Sequence, residues 1–278
     1  LCMERFNVEV VRHILNQINI SSYLQSLGAK APVSYADEVC ARISSMTAAR
    51  FDAPSATTYI SNPRRLHLIS AVLGECNGQD LLEIGAGRGY CTIGVILVAR
   101  SLGKKMKVLS FDVIDPAQKQ AWGTRDDAGR WIVQSRSLQE ALSYYGCNDD
   151  VTVVHGLTCK VLKNVVPPHA YSVIFIDGCH TFWNVTYDLF RSIALLKAGG
   201  RIVMDDFGGS QGAATKVVVS LLRRIGVIDA IVIDMEPPRN GPAVEFDHCM
   251  AIVRHTDSFT RWLDSFVGKA FVGIVRKL

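Results

Sequence analysis

A glycine-rich turn and a set of acids at the ends of apolar runs are the residues of this 278-residue chain best suited to chemistry. In Leu81-Leu82-Glu83-Ile84-Gly85-Ala86-Gly87-Arg88-Gly89-Tyr90 an apolar run enters three alternate glycines, with an acid two residues ahead of the first. Glycine tolerates positive φ and lets backbone approach a ligand with no Cβ in the way. Asp112 closes the run Val108-Leu109-Ser110-Phe111, Asp177 closes Ile174-Phe175-Ile176, and Asp205-Asp206 close Gly199-Gly200-Arg201-Ile202-Val203-Met204. Asp177, Asp205 and Asp206 gathered at one edge would repel one another unless a cation or protons compensated them. Such hard oxygen donors suit Mg²⁺, which keeps several waters and can exchange one for a substrate oxygen. The other reading of these acids is a solvated rim. His180, three residues beyond Asp177, titrates near neutrality and suits accepting a hydroxyl proton; alternatively it holds an aspartate in place.

The elements that must position these residues follow from periodicity. Apolar runs at Asp80–Ile84, Lys107–Phe111, Val151–Val154, Ser172–Ile176 and Arg201–Met204 read as strands, and helical stretches separate most of them. That alternation predicts βαβ crossovers and a parallel sheet. Val227–Ile233 and His248–Val253 have only a loop between them and should pair antiparallel. The expected fold class is therefore α/β, a doubly wound, seven-stranded, mostly parallel sheet. In such a sheet ligands bind in the crevice beyond the carboxyl ends of the strands, where all the acids named above would lie. Before residue 79 no strand is expected. Residues 4 to 27 carry Phe6, Val10, Ile14 and Ile18 at helical spacing, a second helix is expected over Ala36 to Met46, and Pro63 opens a third. Residues 1–75 thus read as a helical cap on the domain formed by 76–278. Its narrow apolar stripe needs a partner surface, either the sheet edge or a second subunit of a homo-oligomer.

The segment Glu83 to Tyr90 resembles motif I of class I S-adenosylmethionine-dependent methyltransferases, a Rossmann-like fold. The spacing is Gly-x-Gly-x-Gly and not the Gly-x-Gly-x-x-Gly of dinucleotide-binding proteins. The resemblance implies that Gly85, Ala86, Gly87, Gly89 and Tyr90 border the methionine part of S-adenosylmethionine (SAM) and that Glu83 organises the turn. It gives Asp112 the ribose hydroxyls, with Asp115 as the fallback. Relatives often carry an acid beside the adenine after the glycine that ends strand three; here Gly156 is followed by Leu157, so those contacts should be apolar or backbone-only. Ile-Asp-Gly-x-His followed by Gly-Gly-x-Ile-Val-x-Asp-Asp resembles metal-dependent small-molecule O-methyltransferases of the macrocin and catechol types, over roughly residues 79–255. That likeness implies Mg²⁺ on Asp177, Asp205 and Asp206, catalytic roles for Asp177 and His180, and a hydroxylated small molecule as acceptor. The cap, the insert from Ile114 to Asn148 and the loop Met235 to Phe246 should set the substrate. The alternatives are a metal-free methyltransferase acting on nitrogen or RNA, and a non-catalytic protein that keeps the cofactor fold.

Composition narrows the partners. A net charge of +4 with no basic block argues against nucleic acid, and no apolar run is long enough to span a membrane. Arg64-Arg65 reads as a solvated helix face. Eight scattered cysteines without metal-knuckle spacing fit reduced thiols and a cytoplasmic protein. Cys179-His180 and His248-Cys249 are discounted as zinc pairs, because adjacent residues rarely share an ion. Glu236-Pro237-Pro238-Arg239 has the wrong position and lacks the aromatic of the Pro-Pro motif in base-methylating enzymes. The chain starts Leu1-Cys2-Met3 without a signal-peptide pattern, which reads as a trimmed start.

Overall fold

The computed structural model describes residues 16–27, 36, 38–39, 63–125, 131–162, 170–205, 207, 212–235 and 249–264. In chain order these form β1 (Asn16–Asn19), α1 (Ile20–Leu27), α2 (Pro63–Glu75), β2 (Asp80–Ile84), α3 (Tyr90–Ser101), β3 (Lys107–Asp112), β4 (Gln120–Arg125), β5 (Trp131–Arg136), α4 (Leu138–Tyr144), β6 (Val151–His155), α5 (Thr158–Val161), β7 (Tyr171–Ile176), α6 (Phe182–Leu195), β8 (Leu196–Met204), α7 (Ala213–Arg224), β9 (Ile228–Asp234), β10 (Cys249–His255) and α8 (Asp257–Asp264).

The main sheet runs β1-β9-β10-β8-β7-β2-β3-β6. β6, β3, β2, β7 and β8 are parallel, and β10 lies antiparallel between β8 and β9. The expected doubly wound order is present, but with eight strands instead of seven. The additional one is β1, which pairs parallel with β9 from Asn16 opposite Ile231 to Asn19 opposite Asp234. The helix expected over residues 4 to 27 is therefore corrected: within its described part the chain is extended to Asn19 and helical only from Ile20. Edge pairing supplied the backbone partners that a helix would have supplied internally. Of the helix expected over 36–46, only Ala36, Glu38 and Val39 lie within the described residues; Ala36 and Val39 are buried.

Alternation along the central strands divides the interior in two. Leu81, Val173, Phe175 and Val203 face the layer of α1, α2 and α3, whereas Leu82, Ile84, Ile174, Ile176, Ile202 and Met204 face that of α6 and α7. Because helices cover both faces, these strands read as unbroken apolar runs. α3 is apolar almost all round and is buried from Tyr90 to Ala99. α1 is tied in by a polar chain: Tyr23 Oη donates to Glu75 Oε2 at 2.9 Å, and Arg201 pairs with the other oxygen of Glu75.

The insert after β3 is ordered at its core. β4 and β5 form a two-stranded antiparallel sheet of their own, with Gln120 opposite Arg136. α4 follows with a complete capping box, in which the Ser137 hydroxyl accepts from Glu140 N–H and the Glu140 carboxylate accepts from Ser137 N–H. No helix among the described residues is long and apolar enough to cross a membrane.

Candidate functional site

The strand order reverses at β2, which has β3 on one side and β7 on the other. Pairing continues past the strand ends: Gly85 N–H donates to Phe111 O, Asp177 N–H to Ile84 O, Asp205 N–H to Ile176 O and Gly156 N–H to Asp112 O, all at 2.8–2.9 Å. The ladder thus sets Gly85, Asp112, Gly156, Asp177 and Asp205 along one edge. A cavity of about 450 Å³ opens there. This is the crevice at which doubly wound sheets bind ligands.

The glycine turn is fixed from three sides. Gly85 has φ +95°, and a Cβ there would run into the carbonyl of Asp177, so only glycine lets the two loops meet. Gly87 has φ +53° with open space in front of its Cα, and its N–H donates to Asp112 Oδ2 at 2.6 Å. Asp112 Oδ1 accepts from Ile114 N–H at 2.8 Å. A carboxylate oxygen has more than one acceptor direction, so both oxygens can still receive ligand hydroxyls. Gln120, which opens β4, donates to the Gly87 carbonyl at 3.3 Å and brings the insert to the turn.

Glu83 lies wholly buried beneath the turn. Its Oε2 accepts from Thr92 Oγ1 at 2.5 Å and Ser110 Oγ at 2.6 Å, which joins β2 to β3 and to the first turn of α3. Burial pushes its carboxyl up to about 7, against the opposing pull of the two hydroxyls. Glu83 therefore ties together β3 and α3, the elements that flank the turn.

Glu83, Gly85, Ala86, Gly87, Tyr90, Asp112 and Gly156 all line the cavity, and Gly89 lies between two residues that frame it, Arg88 and Tyr90. Leu157 lines it too, together with Thr158 and Cys159 of α5. Sequence reasoning missed Asp188, on α6, which reaches the same wall. It is 2% exposed, and its Oδ1 has no hydrogen-bond partner among the described residues. Burial raises this carboxyl to about 6, although the Thr158 side chain hydrogen-bonds to it and pulls the other way.

At the acidic edge Asp177 lines the cavity, while Asp205 sits behind it with its side chain 7% exposed. Asp206 lies outside the described residues. The two described aspartates do come together, but around a guanidinium. Arg65 Nη1 is 3.0 Å from Asp177 Oδ2, and Arg65 Nη2 pairs with Asp205 Oδ2. The solvated helix face expected at Arg64-Arg65 is thus corrected at Arg65, whose side chain is 26% exposed and borders the cavity. Among the described residues no three His, Cys, Asp or Glu side chains converge as a metal site would need. The described donors do not fit Mg²⁺: both carboxylates already hold an organic cation. His180 stands in the loop just ahead of α6, partly buried, and is not among the residues that line the cavity.

Residues 82–207 match the family model described as a methyltransferase domain. No curated protein sequence matches the chain. Among solved structures, the chain is similar to an O-methyltransferase from Bacillus cereus in complex with SAH, with a TM-score of 0.52 and 15% identity over 80% of this chain and 91% of that one. It is also similar to the O-methyltransferase TomG from Streptomyces achromogenes, involved in tomaymycin synthesis and bound to SAM, with a TM-score of 0.52 and 14% identity over 92% and 99% of the two chains. Likeness at such identity speaks for fold, and the strand order, the glycine turn and the family model agree with it. Residues 82–207 thus resemble a methyltransferase domain, within a doubly wound fold that the chain shares with those O-methyltransferases.

Proposed function

We propose that this protein transfers the methyl group of SAM to a hydroxyl of a small molecule. One observation carries the reading: the glycine turn, the Asp112 carboxylate and the Asp177 loop border a single cavity at the switch point of the sheet. In it the open face of Gly87 receives the methionine part of the donor, Asp112 accepts the ribose hydroxyl protons, and Leu157 packs on the adenine. SAM brings its own leaving group, so the chain's task is to align an acceptor oxygen with the methyl carbon and to keep water out. Asp177, on the opposite side of β2 from Gly156 in the strand order, marks the acceptor side, and His180, three residues on in the loop beside the cavity and not in its lining, takes the hydroxyl proton. The oxygen acceptor is favoured by the O-methyltransferases that share the fold. Asp177 and Asp205, which the sequence resemblance assigns to magnesium, are engaged by Arg65 instead.

The test is a mass-spectrometric screen of hydroxylated metabolites with SAM. A product heavier by one methylene, formed together with S-adenosylhomocysteine (SAH), is the expected result. With that acceptor His180→Ala should lower kcat by about a hundredfold, and raised pH should recover part of the loss. Methylation of amines or RNA in place of hydroxyls would overturn the oxygen assignment. A fully active His180→Ala protein would remove the histidine from proton transfer.

A further inference from the structure

We infer that Arg65 is the built-in cation of the acceptor edge, holding Asp177 and Asp205 together so that the enzyme works without a divalent ion. The inference rests on the methyl-transfer reading above and departs from the metal that the family likeness implies.

The geometry is that of a fork with one carboxylate on each tine. Nη1 is 3.0 Å from Asp177 Oδ2, and Nη2 takes Asp205 Oδ2. The three residues come from three elements: Arg65 from the first turn of α2, Asp177 from the end of β7 and Asp205 from the end of β8. Left alone, two carboxylates at adjacent strand tips would repel one another, the more so because Asp205 is almost wholly withdrawn from water. A divalent ion and a guanidinium are the two ordinary remedies. Here the guanidinium is already in place, so an entering ion would have to expel a charged side chain from a site only about a quarter exposed. Arginine also keeps its charge throughout the working pH range, so the clamp does not open by deprotonation.

α2 delivers Arg65 rigidly. Leu66, Leu68, Ile69 and Val72 are fully buried, which fixes the helix against the sheet and leaves the guanidinium little choice of position. The clamp also acts on the donor side, because the carbonyl of Asp177 packs directly against Gly85. A guanidinium that fixes the Asp177 loop therefore also fixes the back of the glycine turn. Arg65 is on this account a positioning residue that works through Asp177, and the N-terminal segment that carries it is part of the active site.

Three measurements on the full chain test this. Electron paramagnetic resonance of Mn²⁺ should show the free-ion spectrum unchanged by wild-type protein, and turnover should be equal in EDTA and in Mg²⁺. A double-mutant thermal cycle should show coupling. Arg65→Gln and Asp177→Asn should each lower Tm by roughly 2–4 °C, and the double variant should lose clearly less than the sum. Arg65→Gln should also lower kcat more than tenfold, with Arg65→Lys recovering only part, because a single ammonium cannot span both carboxylates. Mn²⁺ bound by the wild type and released by Asp177→Asn would overturn the inference, and so would an additive cycle. Titration of the wild type with SAH is run alongside. Its failure would remove the methyl-transfer reading, whereas the thermal cycle reports on the clamp whatever the ligand.

Discussion

Two carboxyls in the cavity wall are held far from water, and their chemistry at neutral pH follows from that. Glu83 is pushed up to about 7 and Asp188 to about 6, in both cases chiefly by burial. A raised acid pKa means that the folded chain binds the proton more tightly than the unfolded chain. The stabilisation is thus full below about pH 4 and is lost as pH rises through 6 to 7, each carboxyl costing on the order of 2–3 kcal/mol above that window. Glu83→Gln and Asp188→Asn keep the shape without the charge. Each should melt above the wild type at pH 8 and match it near pH 4, as scanning calorimetry at the two pH values would read. An equal gap at both pH values would show that the substitutions act through packing and not through charge. The residues legible in the sequence are those whose meaning is local. Glu83, Gly85, Gly87 and Asp112 sit in strand–turn–helix contexts that any reader can frame from neighbours a few positions away. Arg65 and Asp188 were not legible. The Arg65–Asp177 contact joins residues 112 positions apart, and spacing holds no trace of it.

Short apolar strands announced themselves, whether buried like β2 and β7 or half-exposed at the sheet edge like β6. β2, β3, β6 and β7 lie at or within a residue of the runs expected for them, since each is a short apolar stretch bounded by polar residues. β8 starts five residues earlier than expected, at Leu196, through a stretch containing Gly199 and Gly200 that lacks apolar character. β1, Asn-Gln-Ile-Asn, was invisible for a related reason: an edge strand needs one partner and little apolar sequence, and Ile18 also fits a helical stripe. The antiparallel pair β4 and β5 falls inside the stretch expected only as an insert from Ile114 to Asn148. Where local structure was demanded by contact, the demand can be tested. Gly85→Ala places a methyl against the Asp177 carbonyl at a backbone angle that alanine avoids. The β2–α3 turn should then lose about 2–4 kcal/mol of stability, read by urea denaturation, and cofactor affinity with it. Unchanged stability would mean that the two loops are less closely packed than described here.

At the scale of the whole molecule, the sheet reverses its strand order once and the cavity lies at that reversal, between a β2–β3–β6 half and a β7–β8 half. Each half contributes one job. In the proposed function the first holds the donor with the glycine turn and Asp112, the second meets the acceptor with Asp177, and α2 brings Arg65 to that second half. If the cavity is a SAM site anchored on Asp112, isothermal titration with SAM and SAH reads that binding at first hand. The wild type should bind one molecule of either per chain. Asp112→Ala should weaken binding roughly 10–150-fold, the usual worth of about 1.5–3 kcal/mol for hydrogen bonds to a charged group. No heat of binding in the wild type, or an affinity unchanged in Asp112→Ala, would contradict the account.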